Sequence, residues 1–127
     1  YVQDQRLLAI LLSGSDLMLY PSMADNQPLA VIESMASGTP VFAFATGGIP
    51  DIVGQEAGAI VPRGDTVALA NAVTMAWRNG TLPRLSSAAR ERAERLFSRE
   101  RMAGDYLQFY QETLAHRISA HPKPLNQ

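Results

Sequence analysis

Short apolar runs alternate with segments of helical periodicity through the first 78 residues of the chain. The runs that predict strands are residues 17–20, 41–45 and 59–61, and the first of them suits a buried strand. The segments that predict helices are residues 7–12, 28–37 and 65–78. Because strands alternate with helices and the loops between them are short, we expect an α/β fold with a Rossmann-like parallel sheet and flanking helices.

The remainder of the chain is helical and charged. Residues 84–96 carry a solvated charged face, and Ser98 is a plausible cap for a helix that continues to about Arg117. An apolar stripe on this last helix predicts core packing, and its members are Met102, Tyr106, Phe109, Tyr110 and Leu114. We therefore expect one partial domain over residues 1–118 and a flexible tail over residues 119–127. The chain starts at Tyr1 inside a structured pattern, so further strands of this domain are expected before it.

Composition excludes several classes of protein. Hydrophobic residues make up 46% of the chain and the net charge is -1, which indicates a globular domain without a nucleic-acid surface. The absence of cysteine excludes disulfides and thiolate chemistry. The longest apolar run, residues 7–12, is too short to span a bilayer. His116 and His121 have no partners at ligand spacing, so no metal site is expected.

Two carboxylates stand on either side of a helix start. Asp25 lies in the loop after the first strand, and Glu33 lies on the helix that Pro28 opens. The apolar face predicted for this helix includes Glu33, and its members are Leu29, Ile32, Glu33 and Ala36. Glu33 therefore either needs partners in a cleft or lies at the edge of the stripe and reaches solvent.

The segment after the first strand lies where open parallel sheets bind ligands. It offers Ser22, Asp25 and the free amides of the helix start, which favour an anion such as phosphate. Gly47 and Gly48 follow the second strand at the same edge, and a tight turn explains them more simply than close approach to a ligand. Paired carboxylates suit hydroxyl-rich ligands, so a sugar phosphate or nucleotide sugar is favoured over hydrolysis by the carboxylate pair.

Residues 16–53 resemble the C-terminal, donor-binding domain of retaining glycosyltransferases with the GT-B fold, specifically family 4 (glycosyl transferases group 1). The motifs that carry the resemblance are Pro21-Ser22, Asp25, Glu33, the run Met-Ala-Ser-Gly-Thr-Pro-Val at 35–41, and Gly-Gly-Ile-Pro-Asp-Ile-Val at 47–53. Residues 58–72 and the helix at 97–114 resemble later segments of the same family.

The resemblance implies transfer of a sugar, with retained anomeric configuration, from a UDP- or GDP-sugar to a glycan, lipid or small-molecule acceptor. It implies that the acceptor binds to a preceding N-terminal domain, that no cofactor or metal is bound, and that the intact protein is cytoplasmic, with peripheral contact at the cytoplasmic face of the membrane. Asp25 is the implied catalytic residue, and Glu33 would hold the ribose hydroxyls. The residues implied in donor binding are Ser22, Asp25, Asn26, Gln27, Pro28, Leu29, Ala30 and Glu33.

The chain departs from the family pattern in two ways. Asp25 stands where the family usually has the longer Glu, and Gln27-Pro28 replaces the common Phe-Gly, which removes one amide. The Arg and Lys that neutralise the diphosphate in the family would lie before Tyr1, so the chain alone is expected to be inactive. Two alternatives stay open: a GT-B sugar-nucleotide epimerase or hydrolase, and a non-catalytic scaffold of the same fold.

Overall fold

The structure is a computed structural model that describes residues 2–120, with side chains described as far as residue 116. Its elements are α1 (Gln5–Ser13), β1 (Met18–Tyr20), α2 (Leu29–Ala36), β2 (Val41–Phe44), α3 (Ile49–Val53), β3 (Gly58–Val61), α4 (Thr66–Arg78), α5 (Leu82–Phe97) and α6 (Arg99–Ala120). The chain divides into two compact units, one ending at Leu96 and the other beginning at Phe97.

The three strands form one parallel sheet in the order β1-β2-β3, which confirms the predicted mixed α/β fold. Met18 lies opposite Val41, and Val41 lies opposite Gly58. A side chain at Gly58 is excluded, because a Cβ there would lie 1.8 Å from the carbonyl oxygen of Val41. All four residues of β2 are buried, so the central strand is the middle of the hydrophobic core.

The main core cluster lies between the sheet and two later helices. Its buried members are Phe42, Phe44, Val61, Leu69, Ala76 and Leu85. They come from β2, β3, α4 and α5, and α4 packs against both β2 and β3. The start of α4 is fixed by Asp65, whose Oδ1 accepts a hydrogen bond from the Ala68 amide at 2.8 Å.

Two predictions of burial in the first unit are wrong. The run at 17–20 predicts a buried strand, but β1 is only partly buried and Leu19 is 53% exposed, because β1 has one neighbouring strand among the described residues. The predicted core face of α2 is also wrong, since Leu29 is 69% exposed and Glu33 is exposed. The residues of α2 that are buried are Val31, Ser34 and Met35.

The physical reason is that apolar residues occupy both faces of α2, so periodicity does not determine which face packs on the sheet. Val31, Ser34 and Met35 have the same helical spacing as the predicted set. Ser34 tolerates full burial because its hydroxyl donates a hydrogen bond to the carbonyl oxygen of Thr39 at 3.0 Å.

In the described part of the second unit, α6 is a single helix after the predicted cap. Ser98 Oγ accepts a hydrogen bond from the Arg101 amide at 3.3 Å. The apolar stripe predicted to pack in a core is exposed by 57–61%, because the described part of this unit offers no second element that could enclose it. Tyr106 and Tyr110 contact each other, with ring centroids 6.3 Å apart.

Of the tail predicted at 119–127, residues 121–127 lie outside the described part, and residues 119–120 end α6. No helix among the described residues has the length and apolar character needed to cross a membrane.

Candidate ligand-binding site

The loops at the carboxyl ends of the three strands surround one cavity of about 370 Å³. Residues 23–26 follow β1, residues 45–47 follow β2, and Arg63 follows β3. The lining residues are Met23, Ala24, Asp25, Asn26, Ala45, Thr46, Gly47 and Arg63. The strands are parallel, so these three loops meet at one edge of the sheet, which is the edge where open α/β sheets bind ligands.

Two of these loops touch through their backbones at Gly47 and Gly48. A Cβ on Gly47, whose φ is +49°, would lie 1.9 Å from the carbonyl oxygen of Asp25. The Gly48 amide donates a hydrogen bond to the carbonyl oxygen of Asn26 at 3.0 Å. The sequence predicts a simple turn here, and the structure adds a second reason for glycine: the second loop presses against the first.

Thr46 fixes the beginning of the same loop. Its hydroxyl donates a hydrogen bond to the carbonyl oxygen of Ser22 at 3.2 Å, and Thr46 is buried. The Ser22 hydroxyl donates in turn to the carbonyl oxygen of Ala24 at 3.2 Å. The backbone that carries Asp25 is therefore held at both of its ends.

Among the described residues, Asp25 has one side-chain partner, Tyr20 at the end of β1. The Tyr20 hydroxyl donates a hydrogen bond to Asp25 Oδ2 at 2.6 Å. This bond is the main reason that the pKa of Tyr20 is raised above its ordinary value, and burial and the negative charge of Asp25 add to it. No periodicity links residues five apart across the end of a strand, so the sequence carries no signal for this contact.

The start of α2 lies directly after this loop. Pro28 is the N-cap residue, and no side chain caps the helix, so the first amides of α2 have no side-chain acceptor among the described residues. Pro28 is buried, whereas Leu29 and Ala30 are exposed. An uncapped helix start favours an anion beside it.

The structure brings together only part of the predicted site. Asp25 and Asn26 line the cavity, and the predicted residues that do not line it are Ser22, Gln27, Pro28, Leu29, Ala30 and Glu33. Glu33 lies in the second turn of α2, and within the described chain its carboxylate has no hydrogen bond or ion pair. His116 is exposed on α6, and His121 lies outside the described residues.

Arg63 is the cavity residue that sequence reasoning missed. It is exposed, and among residues 2–116 its guanidinium has no hydrogen-bond or ion-pair partner. The signal was available, because Arg63 stands two residues after β3 and the carboxyl ends of all three strands share one edge. A free guanidinium at this position complements an anionic ligand.

The comparisons with known proteins agree with this architecture. Residues 1–79 match the family described as glycosyl transferases group 1. The chain belongs to this glycosyltransferase family. The resemblance stated from the motifs is thereby confirmed.

Two relatives are similar to this chain over most of its length. D-inositol 3-phosphate glycosyltransferase of Saccharomonospora viridis is 38% identical over 104 residues, which cover 80% of this chain and 24% of that protein. N-acetyl-alpha-D-glucosaminyl L-malate synthase of Bacillus anthracis is 30% identical over 116 residues, which cover 90% of this chain and 30% of that protein. The chain thus spans between 24% and 30% of the length of these two relatives.

A solved structure shares the fold. Sucrose-phosphate synthase from Thermosynechococcus elongatus superposes with a TM-score of 0.78 and 35% sequence identity, covering 89% of this chain and 29% of that one. The parallel sheet and flanking helices of this glycosyltransferase chain therefore have the same arrangement as the matching part of that protein.

The loop at 46–48 leads into α3, and the far end of α3 is held by Arg92 of α5. Arg92 Nε donates to the carbonyl oxygen of Ile52 at 2.7 Å, and Nη2 donates to that of Asp51 at 2.6 Å. Nη1 pairs with Glu56 Oε1 at 2.5 Å. The pKa of Glu56 is lowered, chiefly by a hydrogen bond from its own backbone amide and next by the bond from Arg92.

A second cavity of about 460 Å³ lies at the other end of α2, beside α5. Its Ser86 hydroxyl donates to the carbonyl oxygen of Gly38, and its Arg90 pairs with Glu94 at 2.9 Å. Much of its polar lining is therefore engaged within the protein. Among residues 2–116, no group of three or more His, Cys, Asp or Glu side chains could hold a metal ion.

Proposed function

We propose that this chain is the donor-binding part of a retaining glycosyltransferase, which transfers a sugar from a UDP- or GDP-sugar to an acceptor. The observation that carries the proposal is the cavity at the carboxyl ends of the strands, which Asp25, Asn26 and Arg63 line. Its volume of about 370 Å³ is within the range of about 300–1,000 Å³ that is usual for small-ligand sites.

The parts of a nucleotide sugar match groups that line this cavity and groups on α2, which follows directly after one of its loops. The uncapped start of α2 and the guanidinium of Arg63 suit the diphosphate, since both offer donors and positive potential. Asp25 and Asn26 suit the hydroxyls of the sugar. Glu33 is proposed to accept hydrogen bonds from the ribose hydroxyls. Its carboxylate is available for this, because it has no hydrogen bond or ion pair with any described residue.

Transfer is proposed to need residues beyond this chain, namely an acceptor-binding domain and the further cations that the family resemblance implies. Arg63 alone does not neutralise a diphosphate. We therefore expect residues 1–127 by themselves to bind nucleotide sugars no tighter than about millimolar, because the ordering cost of a flexible ligand is large. Calorimetry on residues 1–127 tests this, and micromolar affinity would contradict it. The intact protein is proposed to act in the cytoplasm, at the membrane face if its acceptor is a lipid.

The central test uses the full-length protein with UDP-glucose, UDP-N-acetylglucosamine and GDP-mannose as probes. A probe present at 100 times its dissociation constant should raise the free energy of unfolding by about 2.7 kcal/mol. Glu33→Gln should weaken binding of the best probe by about ten- to a hundredfold, because hydrogen bonds to a charged group contribute about 1.5–3 kcal/mol.

Glu91→Gln is the matched control, since Glu91 is also an exposed helical glutamate and lines the second cavity and not the cavity that contains Asp25. The affinity of Glu91→Gln for the best probe should equal that of the unaltered protein. Absence of binding by every probe, or equal affinity for Glu33→Gln, would overturn the proposal.

A further inference from the structure

Asp25 is the only carboxylate that lines the cavity among the described residues, and its side chain is held by one hydrogen bond, from Tyr20. We propose that Tyr20 is a positioning residue, which orients Asp25 so that its second oxygen accepts a hydrogen bond from a hydroxyl of the donor sugar. Asp25 then acts as an orienting acceptor and not as a nucleophile. The inference rests on the proposed function and deepens it.

The first step of the argument is that Tyr20 is itself fixed. Tyr20 is the last residue of β1, it lies opposite Ala43 of the buried strand β2, and its side chain is partly buried. Its hydroxyl therefore projects from the sheet and not from a loop. A donor mounted on a strand defines the position of its acceptor more precisely than a loop residue does.

The second step is that the rest of the loop leaves the Asp25 side chain free to rotate. The bonds from Gly48 and Thr46 act on backbone carbonyl oxygens at Asn26 and Ser22. Neither restrains the carboxylate group. The bond from Tyr20 to Oδ2 supplies that restraint, and it leaves Oδ1 as the oxygen available to a ligand.

The third step concerns chemistry. A carboxylate oxygen that accepts a hydrogen bond from a phenol shares a lone pair with that donor, so the same oxygen is a weaker nucleophile towards carbon. The capacity of the carboxylate to accept a hydrogen bond from a sugar hydroxyl on the other oxygen remains. The geometry thus favours orientation of the sugar by Asp25.

The test compares four forms of the full-length protein: unaltered, Tyr20→Phe, Asp25→Asn and the double variant. Each is titrated with the best-bound probe of the three nucleotide sugars and with the corresponding UDP or GDP. Tyr20→Phe should weaken nucleotide-sugar binding by about three- to tenfold, the range of one ordinary hydrogen bond, and leave UDP or GDP binding unchanged. The double variant should bind no more weakly than Asp25→Asn, since Tyr20 acts through Asp25.

Two further readouts separate positioning from a structural or nucleophilic role. In an alkaline absorbance titration, Asp25→Asn should lower the pKa of Tyr20 towards its ordinary value, while Tyr106→Phe should leave that titration step in place. Mass spectrometry of the protein with the nucleotide sugar should find no sugar attached to Asp25.

Several outcomes would overturn the inference: equal nucleotide-sugar affinity for Tyr20→Phe, an equal loss of UDP or GDP affinity, additive effects in the double variant, or a glycosylated Asp25. If the unaltered protein binds the probe and Glu33→Gln weakens it while Tyr20→Phe does not, only the role of Tyr20 fails. If the unaltered protein binds neither nucleotide sugar nor nucleotide, the proposed function fails and this inference fails with it.

Discussion

The two ends of α3 carry polar clusters that are built in opposite ways. At the C-terminal end, Arg92 donates from all three of its guanidinium nitrogens to partners within the protein. At the N-terminal end, backbone contacts lock the loop that carries Asp25, while the side chains of Asn26 and Arg63 have no hydrogen-bond partner among the described residues.

The difference separates polar groups that hold the fold from polar groups available to a ligand. A structural cluster is saturated with hydrogen bonds, because a buried polar group that lacks a partner costs free energy. A ligand site needs a rigid backbone and unused side-chain capacity. The Arg92 cluster meets the first description and the Asp25 loop meets the second, so substitutions at the two ends should have different signatures.

The largest loss of stability is expected for Gly47→Ala. The new Cβ would overlap the carbonyl oxygen of Asp25 at 1.9 Å, and φ of +49° is costly for alanine. From these two effects we expect a loss of about 3 kcal/mol or more in the free energy of unfolding. We also expect the loop that carries Asp25 to be displaced. Urea unfolding measures the first effect, and nucleotide-sugar titration of the full-length protein measures the second.

Gly80→Ala is the matched control, because Gly80 also has positive φ, at +61°, but has no atom within 4 Å of the new Cβ. It should lose only the conformational term of about 1–2 kcal/mol, with unchanged ligand affinity. Equal losses for the two variants would mean that the loops do not press on each other.

Arg92→Ala should lower the free energy of unfolding by about 2–3 kcal/mol, since it removes bonds to two carbonyl oxygens and to Glu56. Arg90→Ala on the same helix should change it by less than about 0.5 kcal/mol, because its pair with Glu94 is exposed. The side chain of Arg92 is 15% exposed and that of Arg90 is 60% exposed. Equal effects in urea unfolding would contradict the saturated character of the Arg92 cluster.

Acid should weaken the same cluster. The pKa of Glu56 is lower in the folded protein than its ordinary 4.5, so the folded state favours the carboxylate. Its contribution to stability is therefore present above pH 4.5 and is lost as the pH falls through the folded-state pKa. Unfolding measured from about pH 6 to about pH 3 should show a shallower loss for Glu56→Gln than for the unaltered protein. Identical pH profiles would exclude this linkage.

The smallest effect on stability is expected for Glu33→Gln. Glu33 is exposed, and its carboxylate has no partner in the described chain, so the free energy of unfolding should change by less than about 0.5 kcal/mol. Affinity should fall as stated for the proposed function. Thermal unfolding without ligand checks the stability, and a loss above about 1 kcal/mol would assign Glu33 to the fold instead.

The order of strands and helices follows from the sequence because each element has a local signature. Apolar runs, proline and glycine stops and the cap at Asp65 are readable one segment at a time. The carboxyl-end position of Asp25 also follows, because a parallel sheet collects its loops at one edge. The position of Arg63 in the cavity could have been predicted by the same rule, because Arg63 follows β3.

Other features depend on contacts between segments, which no local pattern contains. The buried face of α2 is chosen by the sheet beneath it, and the bond from Tyr20 to Asp25 depends on how a loop turns back. The exposed apolar stripe of α6 is a further example. The helical spacing of its apolar residues indicates a helix, but burial of that face depends on other segments packing against it.

The parallel register of the sheet also has a kinetic consequence. Parallel neighbours cannot be joined by a tight hairpin, so β1 meets β2 only across α2, and β3 meets β2 only across α3. Pairings of this kind form slowly, because the chain must close a long loop before any bond is gained. During synthesis, the wholly apolar β2 therefore has β1 as its neighbour but lacks β3 until Val61 has left the ribosome, so one of its two edges is open to aggregation during that interval.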